Sequence, residues 1–146
     1  MKFHQAHLMF LALWGGVVLA ESVVELWGRK NRDLMKAAAI FHFWIDVLVE
    51  APIILLVIAS GVVLLFTIDN LTYMHAIMIA AAFVAISANA YCIVAVIRRY
   101  QDLHRTGMEN LPARTQQVFL SAIAGMPLAA LAAGLGLYLT LTRFGG

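Results

Sequence analysis

The sequence predicts an all-α fold: an integral membrane bundle of four helices with both termini on the outer, periplasmic side. Three observations predict it. Hydrophobic residues make up 63% of the 146 and charged residues only 12%, which leaves too little polar surface for a water-soluble domain of this size. The apolar residues gather in four stretches, each able to supply the roughly 20 residues of a bilayer crossing. Eight of the ten Lys and Arg residues fall at two of the connections between those stretches.

A single transmembrane domain, 1–146, is therefore expected. Helix one is expected over 6–27. Its start resembles a secretory signal, but the apolar run resumes beyond Glu21 to Trp27 without a small-x-small cleavage site, so it reads as a span. Gly28 ends it, and Arg29-Lys30-Asn31-Arg32-Asp33 is a polar loop. Helix two is expected over 35–66, long enough to tilt, with Pro52 as a kink. A turn at 67–72 leads to helix three, 73–98. Tyr100 to Arg114, containing Gly107 and Pro112, reads as a second polar loop before helix four, 115–141. Helix four carries Ala122, Ala124, Gly125, Ala129 and Gly136 among other small residues. Such residues let transmembrane backbones approach closely, within the bundle or against a partner subunit. Cys92 is the sole cysteine and forms no internal disulfide.

Arg29, Lys30, Arg32 and Lys36 lie at the first basic connection and Arg98, Arg99, Arg105 and Arg114 at the second, against Lys2 and Arg143 near the termini. The positive-inside bias puts both connections in the cytoplasm, as in a bacterial inner-membrane protein. Topology accounts for the basic residues, so the expected partners are the lipid bilayer and other membrane subunits or copies of this chain, and no nucleic acid.

Ionisable residues inside the apolar stretches form two stripes. Glu21 and Glu25 stand four apart on helix one, and His42, Asp46 and Glu50 stand four apart on helix two; that spacing shares a helix face. At a rise of about 1.5 Å per residue, Glu25 and Glu21 lie roughly 4 to 10 Å below the cytoplasmic end, and His42 and Asp46 roughly 10 to 16 Å. The stripes overlap in depth, on helices joined by a short loop. Ser87, Asn89 and Tyr91 on helix three, and Gln117 and Ser121 on helix four, point toward the same half; Asn89 and Tyr91 are the expected supporting hydrogen-bonding residues.

No Lys or Arg is expected inside a span. Four carboxylates without an internal cation must be protonated, reach water or hold a cation, because uncompensated buried charge is very costly. One His with several carboxylates supplies nitrogen and oxygen donors suited to iron, manganese, zinc or copper. Glu21, Glu25, His42, Asp46 and Glu50 are thus the candidate metal ligands. Neutral hydrogen-bonded acids, or a proton relay through Glu50, Asp46 and Glu21, are the alternatives. A second group lies at the outer face: His4 and His7 at the start of helix one and His75 at the start of helix three. These are candidate ligands for a b-type haem, or for copper with Met9, Met74 and Met78 nearby.

His7 with Trp14-Gly15-Gly16, Pro52 with Gly61 nine residues on, and His75 together resemble the small membrane proteins related to HemJ-type protoporphyrinogen oxidases and copper-resistance D-type proteins. The resemblance implies a haem- or copper-associated role in the inner membrane, with His7 as the characteristic first-helix histidine. Glu21 and Glu25 stand where a HemJ-type enzyme carries a Pro-Arg pair, and no lysine follows His75, so protoporphyrinogen oxidation is not expected. The resulting expectation is a membrane bundle holding haem b or a non-haem transition metal, iron or copper, for redox chemistry or as a subunit of a membrane redox complex. A cofactor-free accessory subunit and a carrier of metal ions or protons are the competing readings.

Overall fold

The computed structural model describes residues 3–67 and 70–144, the last two by their backbone. Lys2 and the side chain of Arg143, the basic groups expected on the outer side, lie outside the described residues. The chain is all-α, with α1 over Phe3–Gly28, α2 over Arg32–Leu65, α3 over Tyr73–Thr106 and α4 over Leu111–Phe144. All four are long and apolar enough to cross a membrane, as expected of an integral membrane protein.

The helices outrun the apolar stretches that announce them, because a hydrogen-bonded ladder continues until a breaker stops it. The largest difference is in α3. Its apolar run ends at Arg98, yet the helix continues through Arg99 and Tyr100 to Thr106 and stops where Gly107 adopts a φ of 67°, a left-handed conformation that glycine takes without steric cost. The expected loop from Tyr100 to Arg114 is therefore only 107–110, since α4 begins at Leu111. The first connection is equally brief: Asn31 caps α2, its side-chain oxygen accepting from the Leu34 amide at 2.9 Å.

Inside α2, Asp46–Glu50 forms a π-turn in which the Ala51 amide donates to the Asp46 carbonyl. The turn falls just before Pro52, which has no amide to give and whose ring crowds the preceding turn of a regular helix. Widening the ladder there relieves that crowding. It also changes the direction of side chains. A regular turn of 3.6 residues overshoots by about 40° at each four-residue step, whereas the wider turn keeps Asp46 and Glu50 on one face, and both are buried.

The helices pair as hairpins, α1 on α2 and α3 on α4, with α2 packed against α3. At the end carrying the 29–31 and 107–110 connections, hereafter the loop end, Gly28 packs so close to α2 that an added Cβ would stand 2.6 Å from the Ala38 methyl. Arg29 donates to Gln116 Oε1 at 2.7 Å and lies over the Phe119 ring, tying α1 to α4. Small residues join α3 to α4: a Cβ on Gly125 would meet Ala88 at 3.2 Å. Mid-bundle, Trp14, Ile54 and Val57 pack with Ile86 and Ala129, so every helix contributes. Large apolar side chains such as Leu19, Val23, Leu55 and Phe83 point outward, as lipid-facing residues do.

Candidate metal centre

The two stripes meet. Glu21, Glu25, His42, Asp46 and Glu50 are all buried, together with Arg99 and Thr115. Arg99 corrects the expectation that the spans hold no cation: it is 0% exposed. Its guanidinium takes Glu25 as a fork, Nη2 donating to Oε1 at 2.6 Å and Nη1 to Oε2 at 2.9 Å. Nη1 also reaches the Thr115 hydroxyl at 3.5 Å. Both Glu25 oxygens are thereby engaged by Arg99, which makes this carboxylate a partner of Arg99 rather than a free ligand.

Glu25 Oε1 also stands 2.5 Å from His42 Nδ1. A carboxylate held by a bidentate guanidinium accepts and cannot donate, so the proton of this hydrogen bond belongs to Nδ1. The approach of Arg99 Nη2 to Nδ1, at 3.2 Å, is then proximity enforced by their shared oxygen, because both groups are donors. With Nδ1 committed, Nε2 faces the opposite way, 3.2 Å from Asp46 Oδ1 and 3.7 Å from Glu21 Oε2. Neither oxygen of Asp46 forms a hydrogen bond with a described residue, nor does Glu21 Oε1; the 3.2 Å approach to Nε2 satisfies ion-pair distance but not hydrogen-bond geometry. One ligand atom from each of Glu21, His42 and Asp46 lies within 4.8 Å of the others. Donors sharing one ion at about 2.0–2.2 Å stand roughly 3 to 4 Å apart, and the two spacings from Nε2 fall in that interval.

Glu50 sits one turn deeper along α2 and belongs to a different network. Its Oε1 accepts from Trp14 Nε1 at 2.9 Å and from Asn89 Nδ2 at 2.8 Å. Asn89 thus takes the supporting role expected of it, through Glu50, while its own Oδ1 lacks a partner among the described residues. Tyr91 does not share that role: it is exposed, and its hydroxyl accepts from Gln117. Ser87 and Ser121 bond the backbone of their own helices.

The histidines at the opposite end of the bundle lie apart from this cluster. His7 Nδ1 is 2.8 Å from the Ser60 hydroxyl, and its ring lies against Gly61, where a Cβ would stand 3.2 Å from Cε1. His75 caps its own helix, Nδ1 accepting from the Thr72 amide at 3.3 Å. His4 is half-buried in the first turn of α1.

Arg99 and Thr115 escaped the sequence reading, although a signal for Arg99 existed. The buried residues of α3 are Ala81, Ala85, Cys92, Ala95, Val96, Arg99 and Leu103, and Arg99 falls on their helical period three residues after Val96, whereas Arg98 does not. Comparison with protein-family models, with curated proteins and with solved structures finds no match to this chain.

Proposed function

We propose that this protein holds a divalent first-row metal ion, iron, manganese or zinc, between α1 and α2 near the loop end of its bundle, with Glu21, His42 and Asp46 as ligands. The carrying observation is the direction of His42 Nε2 toward two buried carboxylates, of which both Asp46 oxygens and Glu21 Oε1 lack a hydrogen-bond partner among the described residues. Three carboxylate oxygens of Glu21 and Asp46 without a hydrogen-bond partner among the described residues, with an imidazole nitrogen beside them, suit a positive occupant, and one nitrogen with carboxylate oxygens suits these metals. No thiolate or thioether belongs to the set, since the Cys92 thiol is directed at the Val118 carbonyl, which disfavours copper(I). Iron or manganese there supplies one-electron chemistry to a membrane redox complex; zinc supplies charge alone. The basic loop end faces the cytoplasm of a bacterial cell in this reading, consistent with the positive-inside rule.

The second reading is a b-type haem on His7 and His75, in keeping with the resemblance to the HemJ and copper-resistance D groups. What favours it is that the Ser60 hydroxyl, which donates to the Leu56 carbonyl, can accept from His7 Nδ1–H and so leave Nε2 of that ring for an axial bond; His75 would serve only by giving up its cap, in which Nδ1 accepts from the Thr72 amide. Elemental analysis and a visible spectrum of the detergent-purified protein separate the two. About one non-haem ion per chain with no Soret band is the expected result. A Soret band lost in His7→Ala moves the assignment to haem. A protein that neither contains nor takes up metal leaves the cluster as protonated acids around a charged His42.

A further inference from the structure

We infer that Arg99, acting through Glu25, is a positioning residue for the metal centre: the pair holds His42 in the Nδ1–H tautomer and so presents Nε2 as the ligating atom. The inference rests on the proposed metal site for its functional meaning, but its geometry stands on three helices of the protein alone.

A histidine ligand binds through one nitrogen, and which one is set by the hydrogen bond made by the other; a carboxylate or carbonyl on the far nitrogen fixes tautomer and ring orientation. A lone glutamate on α1 would be a poor support, since its side chain has several rotors and no reason to remain ionised in an apolar bundle. Arg99 removes both defects. The planar fork locks both Glu25 oxygens, at 2.6 and 2.9 Å, and keeps a full positive charge beside the carboxylate. Oε1 is then fixed 2.5 Å from Nδ1. The chain of contacts runs from α3 through α1 to α2, so the orientation of a ligand on α2 depends on a residue from the other hairpin. Arg99 in turn rests against Thr115 on α4.

The arrangement separates two roles that the sequence pattern merges. Glu21 and Glu25 look equivalent, four apart on one face, yet Glu21 has an oxygen without a hydrogen-bond partner among the described residues while Glu25 has none to spare. The structure assigns Glu21 to the ion and Glu25 to the histidine.

The test uses the full chain in detergent, with zinc and cobalt(II) as probes and ¹⁵N-labelled histidine, the His42 ring being assigned by its loss in His42→Ala. In the zinc-loaded protein Nδ1 should carry the proton and Nε2 the metal. Glu25→Gln should weaken zinc binding by about 10- to 100-fold, the usual effect of losing such an outer partner. The cobalt spectrum should keep its shape, because the ligands are unchanged. Arg99→Lys, which keeps the charge but not the fork, should weaken binding without restoring the wild-type value. Zinc on Nδ1, unchanged affinity in Glu25→Gln, or a cobalt spectrum altered as by loss of a ligand would each overturn the inference. If wild-type protein takes up neither zinc nor cobalt, the metal reading fails by itself. The ring nitrogens still decide the relay: a protonated Nδ1 that loses its proton preference in Glu25→Ala, which removes the acceptor, upholds it, and a bare Nδ1 in the wild type sinks it.

Discussion

The two ends of the bundle treat histidine differently. At the loop end His42 is buried among charged groups, its two nitrogens facing carboxylates on either side and Arg99 behind one of them. At the terminal end His7 and His75 are only partly buried and their Nδ1 atoms meet hydroxyls, those of Ser60 and Thr72. A hydroxyl can donate or accept and so adapts to either tautomer, as at His7, and the Thr72 amide makes His75 Nδ1 an acceptor, whereas an ionised carboxylate only accepts and holds the proton on the nitrogen it faces. Chemistry needing a fixed lone pair and a counter-charge is thus supported at the loop end, and the terminal end offers ordinary polar satisfaction.

The contrast can be broken most directly by His42→Ala against His7→Ala. The first should abolish uptake of divalent metal by purified protein and the second should leave it unchanged, as measured by elemental analysis after equilibration and desalting. Equal loss in both would mean that the ends are one functional unit.

A second comparison sets neighbours against each other. Arg99→Met leaves Glu25 as an uncompensated buried charge and should lower stability by about 3–5 kcal/mol, read as a fall in the thermal unfolding midpoint in detergent. Arg98→Met, on an exposed side chain, should cause no measurable change. The double variant Glu25→Gln with Arg99→Met should be less destabilised than the two single effects added together, because each removes the reason for the other's cost.

Packing at the loop end should be the next most sensitive. Gly28→Ala, which places a methyl against Ala38 at the tightest point of the first hairpin, should cost about 1–3 kcal/mol. Gly15→Ala, with open space around it inside α1, should instead raise stability, by up to about 1 kcal/mol. The smallest effect is expected at the terminal end. Ser60→Ala removes a part-buried hydrogen bond to His7 and should cost about 0.5–1.5 kcal/mol, without affecting metal content.

The helix count and the meeting of the two acidic stripes were legible because both follow from periodicity within apolar runs. Hydropathy, however, marks where lipid ends and not where a helix ends. Truncating α3 at Arg98 put Arg99 in a loop, and with it vanished the cation that gives Glu25 its partner. The division of labour between Glu21 and Glu25 was illegible for a related reason: it depends on which rotamer meets a side chain from another helix, and no spacing within α1 encodes that. Tyr91 shows the converse error. Its depth matches Asn89, but its direction around α3 takes it to Gln117 on the outside. Thr72-x-x-His75 is also the spacing of a helix cap, and that cap is present at the start of α3.

The π-turn in α2 has a consequence for how the rest of that helix is numbered around its axis. Relative to a regular helix the wide turn accommodates one residue more, and each residue of an α-helix advances the side chain by about 100°. Everything from Ala51 to Leu65 is therefore phased one residue late with respect to His42. The inward positions on the far side, Ile54, Val57 and the half-buried Ser60, are inward only because of that offset. Deleting a single residue between Asp46 and Glu50 would do more than shorten a turn. It would rotate the far half of α2 by about 100°, turn Ile54 and Val57 out of the core, and part Ser60 from His7 while leaving His42 where it is.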